Sequence, residues 1–381
     1  MVCSGGTTSR CAADGHWTLD LREKYQGISY SPINQTVEIC AGVKMANLLK
    51  ELSKHKRSFP TGLSGLPGLG YILSGGISPL SRSQGLAIDH ILSIEGLWGK
   101  GKSFNYSKPT IHTGIEEKKL WRGLCGAAHF LGIITKVNLK TQPLKPIEIW
   151  QSYVDKDALI QAIIQAEKWP NSHSLQWIWH NNIKVYAVIN DNNPNREKLK
   201  SIQVDFPCSS SMLVSEVEGL QKLPDFTSES YDGKKLRLHS EVVGVLGASW
   251  GENCRDLIQC LSHLMSRRPN QNCFIAAQQL GGVTTETSRS TTSFIHRQAI
   301  WKPWINASWE AGNEKAKEKS LCWLKEVWEE LDPLCPGIHL AQMHQHLPWH
   351  QEETRKAFKE WLPGLQELKS RYDPQCILPR L

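Results

Sequence analysis

A run of closely spaced glycines between residues 60 and 97 constrains the fold of this chain more than any other feature. Glycines recur through its first half, at Gly62, Gly65, Gly68, Gly70, Gly75 and Gly76. Such a segment exposes successive backbone N–H groups, which is how a loop wraps the anionic pyrophosphate of a dinucleotide. An irregular flexible loop is the alternative, but a strand and a helix precede the segment and an apolar strand follows it. The pattern therefore predicts a structured crossing, without the Gly-x-Gly-x-x-Gly fingerprint of an ordinary Rossmann site.

Hydrophobic periodicity predicts an α+β chain in two units, with a boundary in the proline-bearing stretch near Pro143 to Pro146. In the first unit we expect strands at 37–40, 88–97 and 130–139, and a helix that ends near His55. In the second unit we expect helices at 155–169, 253–265, 315–331 and 351–371, the last one broken at Pro363 and Gly364. Strands are predicted there at 175–179, 183–189, 273–280, 286–296 and 337–347.

Charge, cysteine usage and hydropathy narrow the class of function. The net charge of +7 comes from scattered basic residues, so no nucleic-acid-binding module is predicted. The sequence holds no apolar run long enough for a bilayer and no leader at its N-terminus, so we expect a cytoplasmic protein without a membrane partner. Eleven cysteines without a C-x-x-C pair favour reduced, mostly buried thiols. Fifteen tryptophans, most of them in the second half, are expected to be largely core, although some could line an aromatic substrate cavity.

Four segments follow one another in a characteristic order. Ser4-Gly5-Gly6 stands first, the glycine-rich stretch continues into Leu80-Ser81-Arg82, Gly85-Leu86 and Asp89, residues 120–135 combine glycines with an apolar strand, and residues 371–375 contain Tyr-Asp-Pro. Together they resemble the FAD-linked oxidases with a PCMH-type flavin domain, the group of vanillyl-alcohol oxidase and the berberine-bridge-enzyme-like proteins. In that family the corresponding segments are the end of the first flavin loop, the second flavin-contacting segment, a glycine-rich turn with the following strand, and the closing Tyr-Asp-Pro motif.

The resemblance implies a fold and a cofactor. We expect an α+β protein with a PCMH-type FAD-binding domain at 1–146, from which the first strand-helix unit is missing. A substrate domain at 147–350 would carry an antiparallel sheet covered by helices, and residues 351–381 would return to the FAD domain. Thr7 stands where covalent members have histidine, and Ser64 lies near the position of their cysteine, so FAD is expected to bind non-covalently. The implied cofactor-binding residues are Ser4, Gly5, Gly6, Thr7, Gly65, Gly68, Gly70, Ser74, Gly75, Gly76, Leu80, Asp89, Gly126, Gly132, Ile133 and Tyr372.

The same resemblance implies an oxidoreductase that oxidises a small organic substrate, aromatic or hydroxylated, by hydride transfer to FAD. The family's last substrate-domain strand bears a tyrosine, and its nearest counterparts here are His339 and Gln342. A histidine could take the substrate proton near neutral pH, while a structural role at a strand end is an equally open interpretation. Residues 291–297 resemble the strand that lines the family's substrate side.

Two other interpretations remain open at the level of sequence. The chain could be a truncated, non-catalytic relative that binds a ligand or partner without redox turnover. His344, His346 and His350 could instead gather a metal ion, but no cysteine or carboxylate spacing completes a familiar site, so we predict no metal. A serine hydrolase built on Ser64 is disfavoured, because the residues that follow it do not form the helix of a nucleophile elbow.

Overall fold

Two mainly antiparallel sheets divide the structure, a computed structural model that describes residues 1–7, 15, 17–62, 64–190, 210–214 and 238–381. A five-stranded sheet is built from residues 28–140, and an eight-stranded sheet from residues 147–339. Helices and the glycine-rich segment accompany both sheets, so the predicted α+β class is confirmed. In the described ranges no helix has the length and apolar character needed to cross a membrane.

The first sheet carries the glycine-rich segment beside it. The elements up to residue 143 are, in chain order, β1 Val2–Cys3, β2 Leu19–Asp20, β3 Ile28–Ser31, β4 Thr36–Cys40, α1 Met45–Ser53, β5 Arg57–Ser58, α2 Leu69–Leu73, α3 Ser81–Gln84, β6 Ile91–Trp98, β7 Ser103–Ser107, α4 Ile115–Leu131, β8 Gly132–Lys140 and β9 Gln142–Pro143. The strand order of the sheet is β3-β4-β8-β6-β7. Short two-stranded pairs, β1 with β2 and β5 with β9, flank it.

The second sheet has helices packed against it. Its elements and those that follow are β10 Ile147–Val154, α5 Lys156–Ala166, β11 His173–Trp179, β12 Ile183–Ile189, β13 Ser210–Val214, β14 Leu238–Leu246, α6 Cys254–Ser266, β15 Phe274–Gln279, β16 Trp301–Glu310, α7 Glu314–Leu331, β17 Gly337–His339, α8 His350–Phe358 and α9 Leu362–Tyr372. The strand order is β13-β10-β12-β11-β15-β16-β14-β17, and all pairings between these described strands are antiparallel.

Tryptophans fill the space between the second sheet and its helices. Trp177, Trp250 and Trp301 are fully buried and their rings contact one another at centroid distances of 6.2 and 5.1 Å. Trp150 and Trp328 are fully buried as well. Large apolar rings contribute much of the stabilisation of a core. The expectation that most tryptophans are structural is therefore confirmed.

Several predicted elements are wrong, and each has a local cause. The predicted strand at 286–296 is a series of turns, in which Ser288 accepts a backbone hydrogen bond from Ser290. The strand predicted at 337–347 ends at His339. The strand predicted from residue 88 begins only at Ile91, because Asp89 accepts the backbone N–H of Leu86 and closes a short 3-10 turn.

Other boundaries shift by a few residues. Phe130 and Leu131 end α4 rather than begin β8, and the last predicted helix is two helices, α8 and α9. The break between them comes at Lys359, whose φ of 41° lies in the left-handed region, while Pro363 stands in the first turn of α9, where proline fits a helix. The structure also contains strands β10, β14 and β16, which the periodicity of the sequence does not predict. In β16 the internal Pro303 argues against a strand.

The guanidinium of Arg82 joins the two units from a fully interior position. It donates to the carbonyl oxygens of His173 (2.6 Å), Leu280 (2.6 Å) and Trp169 (2.9 Å), all in the second unit. Burial lowers the pKa of Arg82 to about 10, so the group stays charged at neutral pH. These contacts fix the glycine-rich segment of the first unit against the second sheet.

The C-terminal helices pack back on the first unit. Leu368 of α9 meets Gly123 of α4, and the backbone N–H of Lys100 donates to the carbonyl of Tyr372. The ring of Tyr372 lies 4.2 Å from that of Trp98 at the end of β6. The chain after residue 350 therefore contacts the five-stranded sheet again.

Candidate functional site

Two glycine turns that are distant in sequence meet at Ser4. Its hydroxyl donates to the carbonyl of Ala41 at 2.5 Å and accepts the backbone N–H of Leu69 at 3.0 Å. Gly5 and Gly68 lie in direct contact, because a Cβ placed on Gly68 would be only 2.5 Å from both the backbone N of Gly5 and the Oγ of Ser4. Two backbones can approach this closely only where neither carries a side chain.

This convergence leaves backbone donors without partners. Within the described ranges, no hydrogen bond is recorded for the N–H groups of Gly5, Gly6 or Gly68. Gly65 is held near by the bond from Ala46 N to its carbonyl. Beside Gly70 the space is open, because no atom lies within 4 Å of the point that a Cβ on this residue would occupy. Free amides around an open space form a site that can accept an anionic group.

A third glycine turn follows the C-terminal end of α2. The five residues of this helix, about 8 Å long, separate it from the turn at Gly68. Gly75 and Gly76 have φ values of 135° and 70°, and their carbonyls accept from Ile88 N and Ala87 N, both at 3.0 Å. Positive φ values at two successive residues require glycine. The turn therefore presents Ser74 and Gly75 toward the second sheet.

His339, the last residue of β17, lies against this turn. Its Nε2 is 3.1 Å from the carbonyl oxygen of Ser74, and a Cβ on Gly75 would be 3.3 Å from the same nitrogen. Phe294 packs edge-on against the imidazole at 5.8 Å between ring centroids. The structure thus brings a predicted catalytic residue to a predicted cofactor turn.

The electrostatics of His339 fix its protonation state. Burial lowers its pKa to about 3, and the neighbouring charge of Lys302 acts in the same direction. The imidazole is therefore neutral at physiological pH. Because a carbonyl oxygen can only accept, Nε2 carries the hydrogen and Nδ1 is an acceptor, and Nδ1 is buried with no recorded partner among the described residues. Such a group can orient a ligand better than it can take a proton at pH 7.

Asp89 and Arg297 connect the same turn to the segment of residues 291–297. The Nη1 of Arg297 donates to Asp89 Oδ2 at 2.8 Å, and the arginine side chain is fully buried. Asp89 Oδ1 is buried with no hydrogen-bond partner in the described part of the chain. An unpaired carboxylate oxygen in the interior requires a donor, which a bound molecule or water can supply.

The remaining residues that were predicted to bind the cofactor fall into two groups, those near the glycine turns and those elsewhere in the structure. Thr7 is exposed beside Gly6, and Gly76 packs on Ala87. Gly126, with a φ of 115°, interrupts α4 where the backbone meets Ser293 and Phe294. Gly126 therefore belongs with the His339 turn.

Gly132 and Ile133 begin β8, where they pair with Trp98 and Leu97. The side chain of Leu80 is buried in an apolar cluster between the units, so it serves packing. Tyr372 lines a surface cleft of about 370 Å³ together with Lys100, Lys102 and Arg371. The contacts recorded for Tyr372 place it with Trp98, not with the glycine turns.

Gln342 lies in a different environment from His339. Its side chain accepts from Val242 N at 2.9 Å and donates to Glu241 Oε2 at 2.8 Å. Glu241 also contacts His344 and His346, at 3.4 and 3.0 Å. Gln342 therefore belongs to a buried cluster around Glu241 rather than to the glycine turn.

His344 is the centre of this cluster. Its Nδ1 is 2.7 Å from Glu353 Oε1. Burial lowers the pKa of His344, but the hydrogen bonds and charges of Glu241 and Glu353 outweigh this effect and raise it to about 9. His350 instead contacts the carbonyl of Arg380. No set of three or more metal-ligating side chains with suitable geometry occurs in the described ranges.

Lys302 of β16 lies beside His339, although the sequence does not predict it as a site residue. Gly244 of β14 separates them, because a Cβ on Gly244 would lie 3.3 Å from Lys302 Cε and 3.6 Å from His339 Cβ. Burial lowers the pKa of Lys302 to about 7, and its Nζ lies 4.2 Å from the centre of the Trp304 ring. A usable signal was the alternation in β16, which puts Lys302, Trp304 and Asn306 on one face.

The comparisons with known proteins agree with this geometry. Residues 1–107 match a family model described as an FAD binding domain. An uncharacterised FAD-linked oxidoreductase from Arthroderma benhamiae is 30% identical over 98% of this chain and 69% of its own length. Among solved structures, chitooligosaccharide oxidase has a TM-score of 0.82 at 17% identity, covering all of this chain and 86% of that one.

Berberine bridge enzyme from Eschscholzia californica has a TM-score of 0.78 at 18% identity, and the alignment covers all of this chain and 83% of that one. At these identities the two structures establish the fold alone. The α+β fold with a PCMH-type flavin domain, predicted from the family resemblance, agrees with the fold of these neighbours.

Proposed function

The chain belongs to the FAD-linked oxidoreductases, and from that premise we propose that it oxidises a small organic molecule by hydride transfer to non-covalently bound FAD. FAD is the cofactor of the family, and residues 1–107 match its binding domain. The observation that carries the proposal is the contact between His339 and Ser74, because it brings a polar residue of the second sheet to a glycine turn.

The residues present fit FAD. The N–H groups of Gly5, Gly6 and Gly68 have no hydrogen-bond partner among the residues that the structure describes, and they lie beside the open space at Gly70, which suits the anionic diphosphate. Neither Thr7 nor Ser64 offers the imidazole or thiol of a covalent flavin link. When bound, FAD supplies the hydride acceptor of the reaction. We therefore assign the diphosphate to the first pair of turns and the ring to the neighbourhood of Gly75.

The chain's own residues then act on the substrate. His339 keeps its Nε2 hydrogen on the Ser74 carbonyl and offers Nδ1 as an acceptor toward the interior. Phe294 and Trp304 supply apolar surface that limits the access of water. In this proposal residues 1–146 bind the cofactor, residues 147–350 cover the substrate, and residues 351–381 support the first unit.

A spectroscopic experiment tests the proposal. The purified protein, reconstituted with FAD if required, should absorb near ~450 nm, and acid precipitation should leave all flavin in the supernatant because no bond holds it. Under anaerobic conditions, at least one member of a panel of small organic alcohols, phenols and amines should bleach this absorbance. If flavin pellets with the protein, the non-covalent assignment is wrong. If the protein holds FAD but no compound bleaches it while dithionite does, the proposed oxidation is wrong.

A further inference from the structure

A row of polar side chains crosses the face of the second sheet that is turned toward the first unit. Gln176 of β11 stands directly opposite Gln278 of β15, and Gln278 stands opposite Lys302 of β16. Side chains at directly opposed positions lie about 5 Å apart on the same face. Leu80 of the first unit packs against apolar neighbours on this face, so the row is interior.

Two glutamines of this row hold buried polar atoms for which the described part of the chain provides no hydrogen-bond partner. Gln278 Nε2 and Gln176 Oε1 are both enclosed with no hydrogen bond recorded in the described part of the chain. The side chain of Gln176 also donates to Ser174 Oγ at 2.9 Å, which fixes its orientation and leaves the amide oxygen as the free atom. Lys302 Nζ likewise has no ion pair or hydrogen bond to any residue that the structure describes. Almost all buried polar atoms are satisfied in folded proteins, so this row points to a ligand.

We propose that Gln278 and Lys302 bind the hydroxyl group of an alcohol substrate, with Lys302 as the base that removes the hydroxyl proton. The inference rests on the proposed function, which it deepens by naming the substrate class and the base. The carbon–hydrogen bond next to the oxygen breaks and its hydride passes to FAD, while the O–H proton passes to Lys302 Nζ. The alcohol becomes a carbonyl compound, and FAD takes up the two electrons.

The chemistry of the row selects an alcohol over other substrates. A hydroxyl oxygen can accept from the Gln278 amide, and its hydrogen can be donated to a neutral amine, as the lowered pKa of Lys302 allows. A protonated amine substrate would be repelled by Lys302 whenever that side chain is charged. The carbonyl that forms keeps the Gln278 hydrogen bond, so the donor serves both substrate and product. His339, across Gly244, is neutral and does not compete for the proton.

The first arm of the test measures Lys302 itself and does not depend on turnover. In the FAD-loaded protein, the rate of acetylation of Lys302 by trace acetic anhydride is followed against pH by peptide mass spectrometry. We expect half-maximal reactivity of Lys302 near pH 7, and the exposed Lys100 and Lys102 serve as reference amines measured in the same samples. An apparent pKa above 9 for Lys302 would overturn its assignment as the base.

The second arm compares variants under anaerobic stopped flow. Lys302→Met and Lys302→Arg should each lower flavin reduction by an alcohol ~100-fold or more and remove the rise of the rate with pH, because arginine keeps the charge but is not a base. The control Lys184→Met, on β12 above the ring of Tyr153, should stay within about twofold of the parent rate. Unchanged reduction in Lys302→Met, with FAD still bound, would overturn the proposal.

The panel of substrates distinguishes a failure of the alcohol assignment from a failure of the proposed FAD-dependent oxidation. If amines or other compounds reduce the flavin and alcohols do not, the alcohol assignment fails and the proposed function stands. If no compound reduces it, the proposed function fails, and the acetylation titration still decides the state of Lys302. If Gln278→Leu leaves the apparent binding of the alcohol unchanged, Gln278 does not bind the hydroxyl.

Discussion

The close approach of Gly5 and Gly68 predicts that one methyl group will separate two turns and weaken FAD binding. In Gly68→Ala the new Cβ would lie 2.5 Å from Ser4 Oγ and Gly5 N, whereas ordinary contacts begin near 3.4 Å. The turns must therefore move apart by about 1 Å, which costs ~1–3 kcal/mol of folding free energy by overpacking. Losing one hydrogen bond to the charged diphosphate costs about 1.5–3 kcal/mol, which corresponds to a rise in the Kd for FAD of ~10-fold or more.

The assay combines thermal unfolding of the apoprotein with titration of FAD by quenching of its fluorescence. Gly114→Ala is the matched control, because nothing lies within 4 Å of its Cβ position at the start of α4. It should change stability by less than about 1 kcal/mol and leave the Kd for FAD unchanged. A Gly68→Ala protein with a lower Tm and an unchanged Kd would refute the assignment of these turns to the diphosphate. Unchanged values of both would refute the close approach itself.

Two further predictions concern the buried charges. Glu241 and Glu353 raise the folded-state pKa of His344 from 6.5 to about 9. The stabilisation from His344 is therefore complete below pH 6.5 and is lost as the pH rises through 9. Urea unfolding at pH 7 and pH 10 should show a loss of about 2.5 kcal/mol that is absent in His344→Gln. Arg82→Met should lower the free energy of unfolding by about 3 kcal/mol or more, because three interior carbonyls lose a charged donor. The control Arg371→Met changes an exposed side chain and should alter the free energy of unfolding by no more than about 0.5 kcal/mol. A pH-independent His344 contribution, or equal effects of the two arginine variants, would contradict these assignments.

The sequence was most informative where backbone conformation alone restricts the residue type. Gly75 and Gly76 adopt positive φ, and Gly5 and Gly68 touch, so glycine is required and the pattern is visible before folding. The residues that contact these turns could not be predicted from the sequence in the same way. Ser4 contacts a residue 65 positions away, and His339 contacts one 265 positions away. Contacts at such separations depend on strand order, which periodicity does not encode.

The polar face of the second sheet shows most clearly which features could not be predicted from the sequence. Lys302, Trp304 and Asn306 alternate in the sequence as they would in a strand, but Pro303 argues against a strand there, so the burial of Lys302 is not predicted. Its perturbed pKa arises from the neighbours that the sheet assembles around it, so only the tertiary structure reveals it. Gln342 illustrates the opposite case. It follows His339 by three positions, but the strand ends at His339 and the amide lies on Glu241 instead.

The position of the isoalloxazine ring in a structure of the protein with FAD bound decides whether the glycine turns and the second sheet form one site. We expect the diphosphate to contact the N–H groups of Gly5, Gly6 and Gly68, and the ring to lie beside Gly75 with its reactive face toward His339 and Lys302. A ring bound elsewhere, for example in the cleft at Tyr372, or a flavin whose reactive face is more than ~10 Å from the row of Gln278 and Lys302, would contradict it.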